Sequence, residues 1–226
     1  MHKKNHTICI EPVRPDETEA LLDLYVDLFY DREPLTTCLG LGRERMEAIA
    51  RGVYLGATDN PISMGWCWMA RDCMAAHRAV GFVVCDDPFT DGQVDIPGNL
   101  TDEEHEKVMH VQALMEAIRA PLTDRSSLGA GQCLHIAAIG VAPGYEGAGI
   151  ATSLLQTALS SARTRGFAHV LAECTSLASR ACHERNGFEC LHRVSADTFS
   201  HHGVSPFAGS HLDIFLLWKD MAQREG

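Results

Sequence analysis

The chain is short of positive charge. Its 226 residues hold 19 lysines and arginines against 30 aspartates and glutamates, a formal charge of −11. Nucleic-acid backbones call for a basic footprint, so no nucleic-acid partner is expected. A cationic or small neutral partner suits this balance better. Long apolar runs are also missing: none approaches the roughly 18 residues that suggest a membrane span, and no membrane association is expected. The basic opening Met1-His2-Lys3-Lys4-Asn5-His6 leads into a short stretch that Glu11 and Pro12 interrupt, which does not read as a secretory signal. The expected location is cytoplasmic. There is no internal repeat and no low-complexity tract. The nine cysteines form no C-x-x-C pair, which zinc sites usually need, and their odd number would leave a free thiol in a secreted protein. They read as reduced thiols, mostly buried, and no metal is expected.

What is present is a mixture of strand and helix periods. Residues 7–14 are rich in β-formers. Residues 17–29 repeat apolar side chains at helical spacing, with Asp16 as N-cap and Glu19 completing a capping box. Asp31-Arg32-Glu33-Pro34 breaks the helix, because a proline biases the residue before it away from the helical region. A second helix is expected over 43–54, and two antiparallel strands over 65–70 and 79–85. A polar loop follows over 86–98, then a helix over 102–119 and a loop over 121–132. The second half reads as strand 134–141, helix 147–164, strand 169–173, short helix 179–186 closed by Gly187, and strands 188–193 and 212–218. The expected fold class is α/β with a mixed sheet, in one domain over residues 1–226.

The most informative stretch runs from Val141 through Pro143, Gly144, Gly147 and Gly149 to Ala151. It leaves a strand and opens a helix. Glycines let the backbone turn tightly and approach a ligand closely. The free N–H groups of the new helix, with its dipole, favour a phosphate in front of Gly147, Ala148, Gly149, Ile150, Ala151 and Thr152. It is not a Walker A loop, which needs a lysine after the second glycine, nor does it have the G-x-G-x-x-G order of a dinucleotide site. A glycine-rich turn with no ligand remains the alternative on the glycines alone.

Val141-x-Pro143 followed by Gly147-x-Gly149-Ile150-Ala151 resembles motif A of the GNAT superfamily of N-acetyltransferases, whose loop binds the pyrophosphate of acetyl-CoA. The usual pattern is Q/R-x-x-G-x-G/A; here its first position is the acidic Glu146. Residues 179–188, ending in Asn186-Gly187-Phe188, resemble that family's A-x-x-x-Y-x-K-x-G-F segment. Leu28-Phe29-Tyr30-Asp31-Arg32-Glu33-Pro34-Leu35 with Leu39-Gly40-Leu41 is similar to the F-x-x-D-E-P-L…L-G stretch of insect-type arylalkylamine N-acetyltransferases, with Arg32 where that pattern has aspartate. The resemblance implies a central, mostly antiparallel twisted sheet flanked by helices. It also implies acetyl-CoA as co-substrate, a small-molecule amine as acceptor, and a monomer or homodimer. It points to Glu33 as general base, with Thr175 and Ser179 assisting. His183 stands where many members carry a tyrosine that protonates the departing thiolate. A protein or peptide acetyltransferase and an acyl-CoA-binding sensor remain the alternatives.

The chemistry needs such residues. An alkylamine, with a pKa of roughly 10, is protonated at neutral pH and cannot attack a thioester until a base takes one proton. A carboxylate in a cleft attracts the cation and accepts that proton. Backbone N–H groups near Ile139, Gly140 and Val141 would hold the pantetheine arm and polarise the carbonyl. His201, His202 and His211 lack tight ligand spacing and read as acceptor contacts rather than a metal site. Trp66, Trp68, Phe29 and Tyr30 are either the wall of an aromatic pocket or core.

Overall fold

The computed structural model describes residues 6–55, 60–90, 98–123 and 128–221. Seven strands form one sheet: β1 (Ile8–Pro12), β2 (Cys67–Asp72), β3 (Arg78–Asp86), β4 (Cys133–Val141), β5 (His169–Cys174), β6 (Glu189–Ser195) and β7 (Asp213–Asp220). Their order is β1-β2-β3-β4-β5-β7-β6. Every neighbouring pair is antiparallel except β4 with β5. Among the described residues there are six helices: α1 (Thr18–Phe29), α2 (Pro34–Leu39), α3 (Arg43–Leu55), α4 (Asp102–Arg119), α5 (Ile150–Arg165) and α6 (Leu177–Arg185), of which α1, α4, α5 and α6 pack on the sheet and α3 on α1. The mixed α/β class and the mostly antiparallel sheet agree with the sequence reading. Part of the expected 86–98 loop, 91–97, lies outside the described residues. Among the described residues no helix is long and apolar enough to cross a membrane.

Three details depart from expectation. Asp16 does not cap α1. A 3-10 turn over Pro15–Glu17 precedes it, the Glu17 carboxylate accepts from the Arg14 N–H at 3.1 Å, and the Asp16 side chain meets the Arg14 guanidinium instead. Proline has no N–H to lose, so it starts the turn early. Second, α2 follows directly on the expected break. Glu33 is extended (ψ 124°) and caps it, with Pro34 in the first turn. Six residues are too few to reveal a helical period. Third, Cys9 and Cys73 are joined as a disulfide, so the reading of nine reduced thiols is corrected. Cys9 lies opposite Arg71 in the β1–β2 ladder, and the turn after β2 brings Cys73 alongside. Cys67, Cys85, Cys133, Cys174 and Cys182 are buried as free thiols, whereas Cys38 and Cys190 are exposed.

The core lies on both faces of the sheet. Ile150, Leu154, Leu155 and Ala158 bury the apolar stripe of α5 against β2, β3 and β4. A Cβ at Gly81 would meet Ile150 and Leu154 of α5, whereas one at Gly140 on β4 would meet Phe82 and Leu28 of α1. So α1 and α5 sandwich β3 and β4. Leu114 and Ile118 of α4 pack with Leu171, Leu216 and Trp218 in a second cluster that Leu35 of α2 joins. Trp66 and Trp68 are buried in the main core, Trp68 on β2, which lies between β1 and β3, and Trp66 just before it, edge-on to Phe167. Phe29 packs on Tyr25 and Phe82, and Tyr30 leans on a third cluster around Leu41, Met46 and Val108.

Candidate active site

The site begins where two parallel strands part. β4 pairs with β5 only from Cys133 to Ile136, opposite His169 to Ala172. Beyond this β4 follows β3 as far as Val141, while β5 follows β7 to Cys174. Val84 of β3 faces Ala138 but Cys85 faces Ile136, so Ala137 is an extra residue. Such a bulge bends a strand and increases its twist. Among the described residues no strand pairs with Ile139, Gly140 and Val141 on the β5 side of β4.

At the end of β4 the chain makes the glycine loop. Gly144, Gly147 and Gly149 have φ of 86°, 74° and 81°, and a Cβ on any of them would meet nothing within 4 Å. Their requirement is conformational, and the surface in front of them is open. Gly149 is the N-cap of α5, and among the described residues no side chain caps that helix. The amides of Ile150, Ala151 and Thr152 therefore start a helix with no side-chain acceptor, the arrangement that suits a diphosphate. Thr152 turns its hydroxyl toward the Cys182 sulfur at 3.8 Å, tying α5 to α6. Glu146 accepts from the Gly144 N–H at 2.6 Å and from Arg32 Nη2 at 2.9 Å. Its own N–H, that of Gly144 and the guanidinium hold its carboxyl below the usual range. The donors and the open glycine surface fit a phosphate-bearing group.

Glu33 stands between two elements. Its carboxylate accepts from the N–H groups of Leu35 (3.1 Å) and Thr36 (2.6 Å), so it caps α2 with its own side chain. The Thr175 hydroxyl, just beyond β5, donates to the same carboxylate at 2.5 Å. Two expected site residues, 142 positions apart, are thus brought into contact. Ser179 is not bonded to Glu33: its hydroxyl lies 3.3 Å from the Cys174 sulfur, and its N–H is taken by Ser176 Oγ. His183 is 1% exposed, edge-on to Phe188. Its Nδ1 lies 2.9 Å from the Ser179 carbonyl oxygen. A carbonyl only accepts, so the proton sits on Nδ1 and Nε2 carries the lone pair. Among the described residues the buried Nε2 has no partner, and burial lowers the pKa of the ring. In that state His183 is neutral, its Nδ1–H donates to the Ser179 carbonyl and lies 3.5 Å from the Cys174 sulfur, and Nε2 is left as an acceptor.

The sequence reading missed a buried charge network beneath the gap. Both nitrogens of His135 meet carboxylates, Nδ1 with Asp86 at 2.8 Å and Nε2 with Glu173 at 2.6 Å, and Arg119 Nε donates to Glu173 at 2.5 Å. Burial opposes charge on His135, but Glu173 and Asp86 outweigh it and raise its pKa to about 9. Burial likewise opposes ionisation of Glu173, yet His135 and Arg119 hold it well below the carboxylate range. The available signal was a histidine and a glutamate inside apolar strands, since buried polar groups need partners. Elsewhere, His201 Nδ1 lies 3.1 Å from His110 Nδ1 on α4, and the His202 ring is tilted against that of His201 with centroids 4.1 Å apart. Among the described residues no group of three or more His, Cys, Asp or Glu is placed to hold a metal ion.

The model of the acetyltransferase (GNAT) family matches residues 18–188. No curated protein matches the chain in sequence. Among solved structures, the C-terminal condensation domain of Ebony in complex with beta-alanyl-dopamine is similar at TM-score 0.80 and 19% identity, covering 96% of this chain and 100% of that one. Mosquito arylalkylamine N-acetyltransferase like 5b is similar at TM-score 0.74 and 20% identity, over 95% and 100% of the two chains. The polyamine N-acetyltransferase of Drosophila melanogaster, which forms N-acetylagmatine, is similar at TM-score 0.69 and 20% identity over the same shares. At these identities the likeness is one of fold.

Proposed function

The chain is an enzyme of the GNAT acetyltransferase family, and from that premise we propose that it transfers an acetyl group from acetyl-CoA to the primary amine of a small molecule, with Glu33 as general base. The observation that carries this reading is the Glu33–Thr175 contact at the mouth of the β4–β5 gap. It gives the cleft a fixed negative charge, suited to an ammonium group. Solved neighbours named for arylalkylamines, agmatine and a dopamine amide support a small amine as acceptor. That all seven strands share one sheet supports reading the chain as one catalytic domain.

In this mechanism the amides of Gly147 to Thr152 hold the diphosphate of the donor. The exposed edge of β4 at Ile139–Val141 orients the pantetheine arm and donates to the thioester carbonyl. Glu33 pairs with the substrate ammonium and takes one proton, directly or through a water, so that the nitrogen lone pair reaches the carbonyl carbon. Two backbone donors and Thr175 keep the carboxylate in one orientation. The new C–N bond forms as the C–S bond breaks. The thiolate that leaves has a pKa of roughly 8.5 and departs without an obligatory acid. His183 and Ser179 contribute by packing α6 on Cys174 at the end of β5.

Thiol release tests the proposal, with arylalkylamines, polyamines and basic peptides as acceptors. Turnover is expected on one or more small amines. Glu33→Gln should lower the rate by roughly 10²–10⁴-fold with acetyl-CoA affinity near that of the wild type. The loss should narrow as pH approaches the amine's own pKa, because free amine then needs no base. A loss equal at every pH would make Glu33 a substrate-positioning group. Turnover of peptides only would replace the acceptor class, and donor binding without turnover on any amine would replace catalysis with sensing.

A further inference from the structure

Two positions that depart from their motifs meet in space. Arg32 stands where the F-x-x-D-E-P-L pattern has an aspartate, and Glu146 where the loop pattern has arginine or glutamine. Arg32 Nη2 lies 2.9 Å from Glu146 Oε1, and Nη1 lies 3.4 Å from the Val141 carbonyl oxygen. The other Glu146 oxygen accepts from the Gly144 N–H. The guanidinium therefore lies over the first residues of the glycine loop, held from the α1–α2 corner.

The pair is too exposed to matter much for stability: Arg32 and Glu146 are 37% and 53% exposed, and solvent screens such an ion pair. Its consequence is for the ligand. A bare glutamate at this loop would repel a diphosphate. A guanidinium bonded to it cancels that charge and has spare donors: of five N–H groups, Glu146 and Val141 engage two. Arginine presents those donors as a planar fork that matches phosphate oxygens.

We propose that Arg32 supplies the cationic side chain for the diphosphate of the acyl-CoA donor, and that Glu146 is a positioning residue which aims that guanidinium at the loop. The inference rests on reading the turn at 147–152 as the diphosphate site. The charge order of the pair is reversed relative to the motifs, so the cation arrives from the segment that carries Glu33. Donor binding then anchors the residue adjacent to the base.

Calorimetry with CoA, and steady-state kinetics with acetyl-CoA and with S-acetyl-pantetheine, which lacks the diphosphate, test this. Arg32→Ala should weaken CoA binding by roughly 10–100-fold and flatten its salt dependence. Its loss in kcat/KM on acetyl-CoA should exceed that on S-acetyl-pantetheine by tenfold or more. Arg32→Glu should be weaker still. The double variant Arg32→Glu/Glu146→Arg should return to within about threefold of wild-type affinity, because it restores one cation and one anion at the loop. Thermal melts control for folding. Wild-type CoA affinity in Arg32→Ala, equal losses on both donors, or a double variant no better than Arg32→Glu would each overturn the inference while leaving the proposed function standing. A wild-type chain that binds neither donor would overturn both.

Discussion

His135 is a residue whose role depends on three others from distant parts of the chain. Asp86, Glu173 and Arg119 surround it, and the His135 and Glu173 side chains are 8% and 7% exposed. Two carboxylates and two cations make the cluster neutral overall, which is what allows it below the surface. Because its folded pKa is about 9 and an unfolded histidine titrates near 6.5, the native state binds the extra proton between those values. The contribution of His135 to stability is therefore complete below about pH 6.5 and is lost as pH rises through about 9. Denaturant unfolding between pH 6 and 9.5 should show that decline. His135→Gln should remove most of the slope and cost roughly 3 kcal/mol at pH 6, since Glu173 then keeps only Arg119. A slope unchanged by the substitution would exclude His135 as its source. Glu173, held low, works in the opposite direction and loses its contribution only in acid.

At the scale of elements, β4 decides the geometry of the cleft. It follows β3 to its end but leaves β5 after Ile136, and the extra residue Ala137 shifts its register with β3. Past the bulge, Gly140 lies toward α1. A Cβ there would sit 3.0 Å from Phe82 and 3.2 Å from Leu28. The aromatic group of Phe82, Phe29 and Tyr25 fills the space, so there is little slack. Gly140→Ala should push α1 from the sheet, cost about 1–3 kcal/mol and lower Tm by roughly 2–10 °C. Since α1 leads directly to Arg32 and Glu33, acetyl transfer should fall with it. A melting temperature equal to that of the wild type would show that Phe82 and Leu28 yield freely. α2 shows another dependence: six residues form a helix because Glu33 caps them, so one carboxylate both starts the helix and faces the gap.

For the molecule as a whole, the Cys9–Cys73 bond ties the edge strand β1 to the turn between β2 and β3. The two cysteines are 64 positions apart, so the cross-link restricts a large loop in the unfolded chain. Alkylation of the denatured, unreduced protein should label seven cysteines, and nine after reduction. Cys9→Ser should lower unfolding free energy by about 2–4 kcal/mol in oxidising buffer and by little under reductant. Nine labelled thiols before reduction would show that the pair is open in solution. The bond holds the far edge of the sheet from the cleft, so acetyl transfer at a temperature well below melting should differ little between the two proteins.

The sequence by itself determined the element types and most of their limits. Apolar spacing identified α4 over 102–119 as found, and the alternation from helix to strand periods marked the sheet. The glycine loop was legible because three positive-φ positions leave glycine as the residue without strain, and that signature lies within ten residues of chain. α2 was too short to carry a period. The contact between Glu33 and Thr175, which only the family resemblance had named together, was beyond local reading for a different reason: they are 142 positions apart, and nothing in either segment specifies the meeting. The same holds for Arg32 with Glu146 and for His135 with Glu173 and Arg119. Only the strand order, the parting of β4 from β5 and the packing of α1 and α4 on that sheet brought these groups together. Local propensity acts over a few residues, whereas charge pairing and burial act through space; the site therefore became complete only in the tertiary structure.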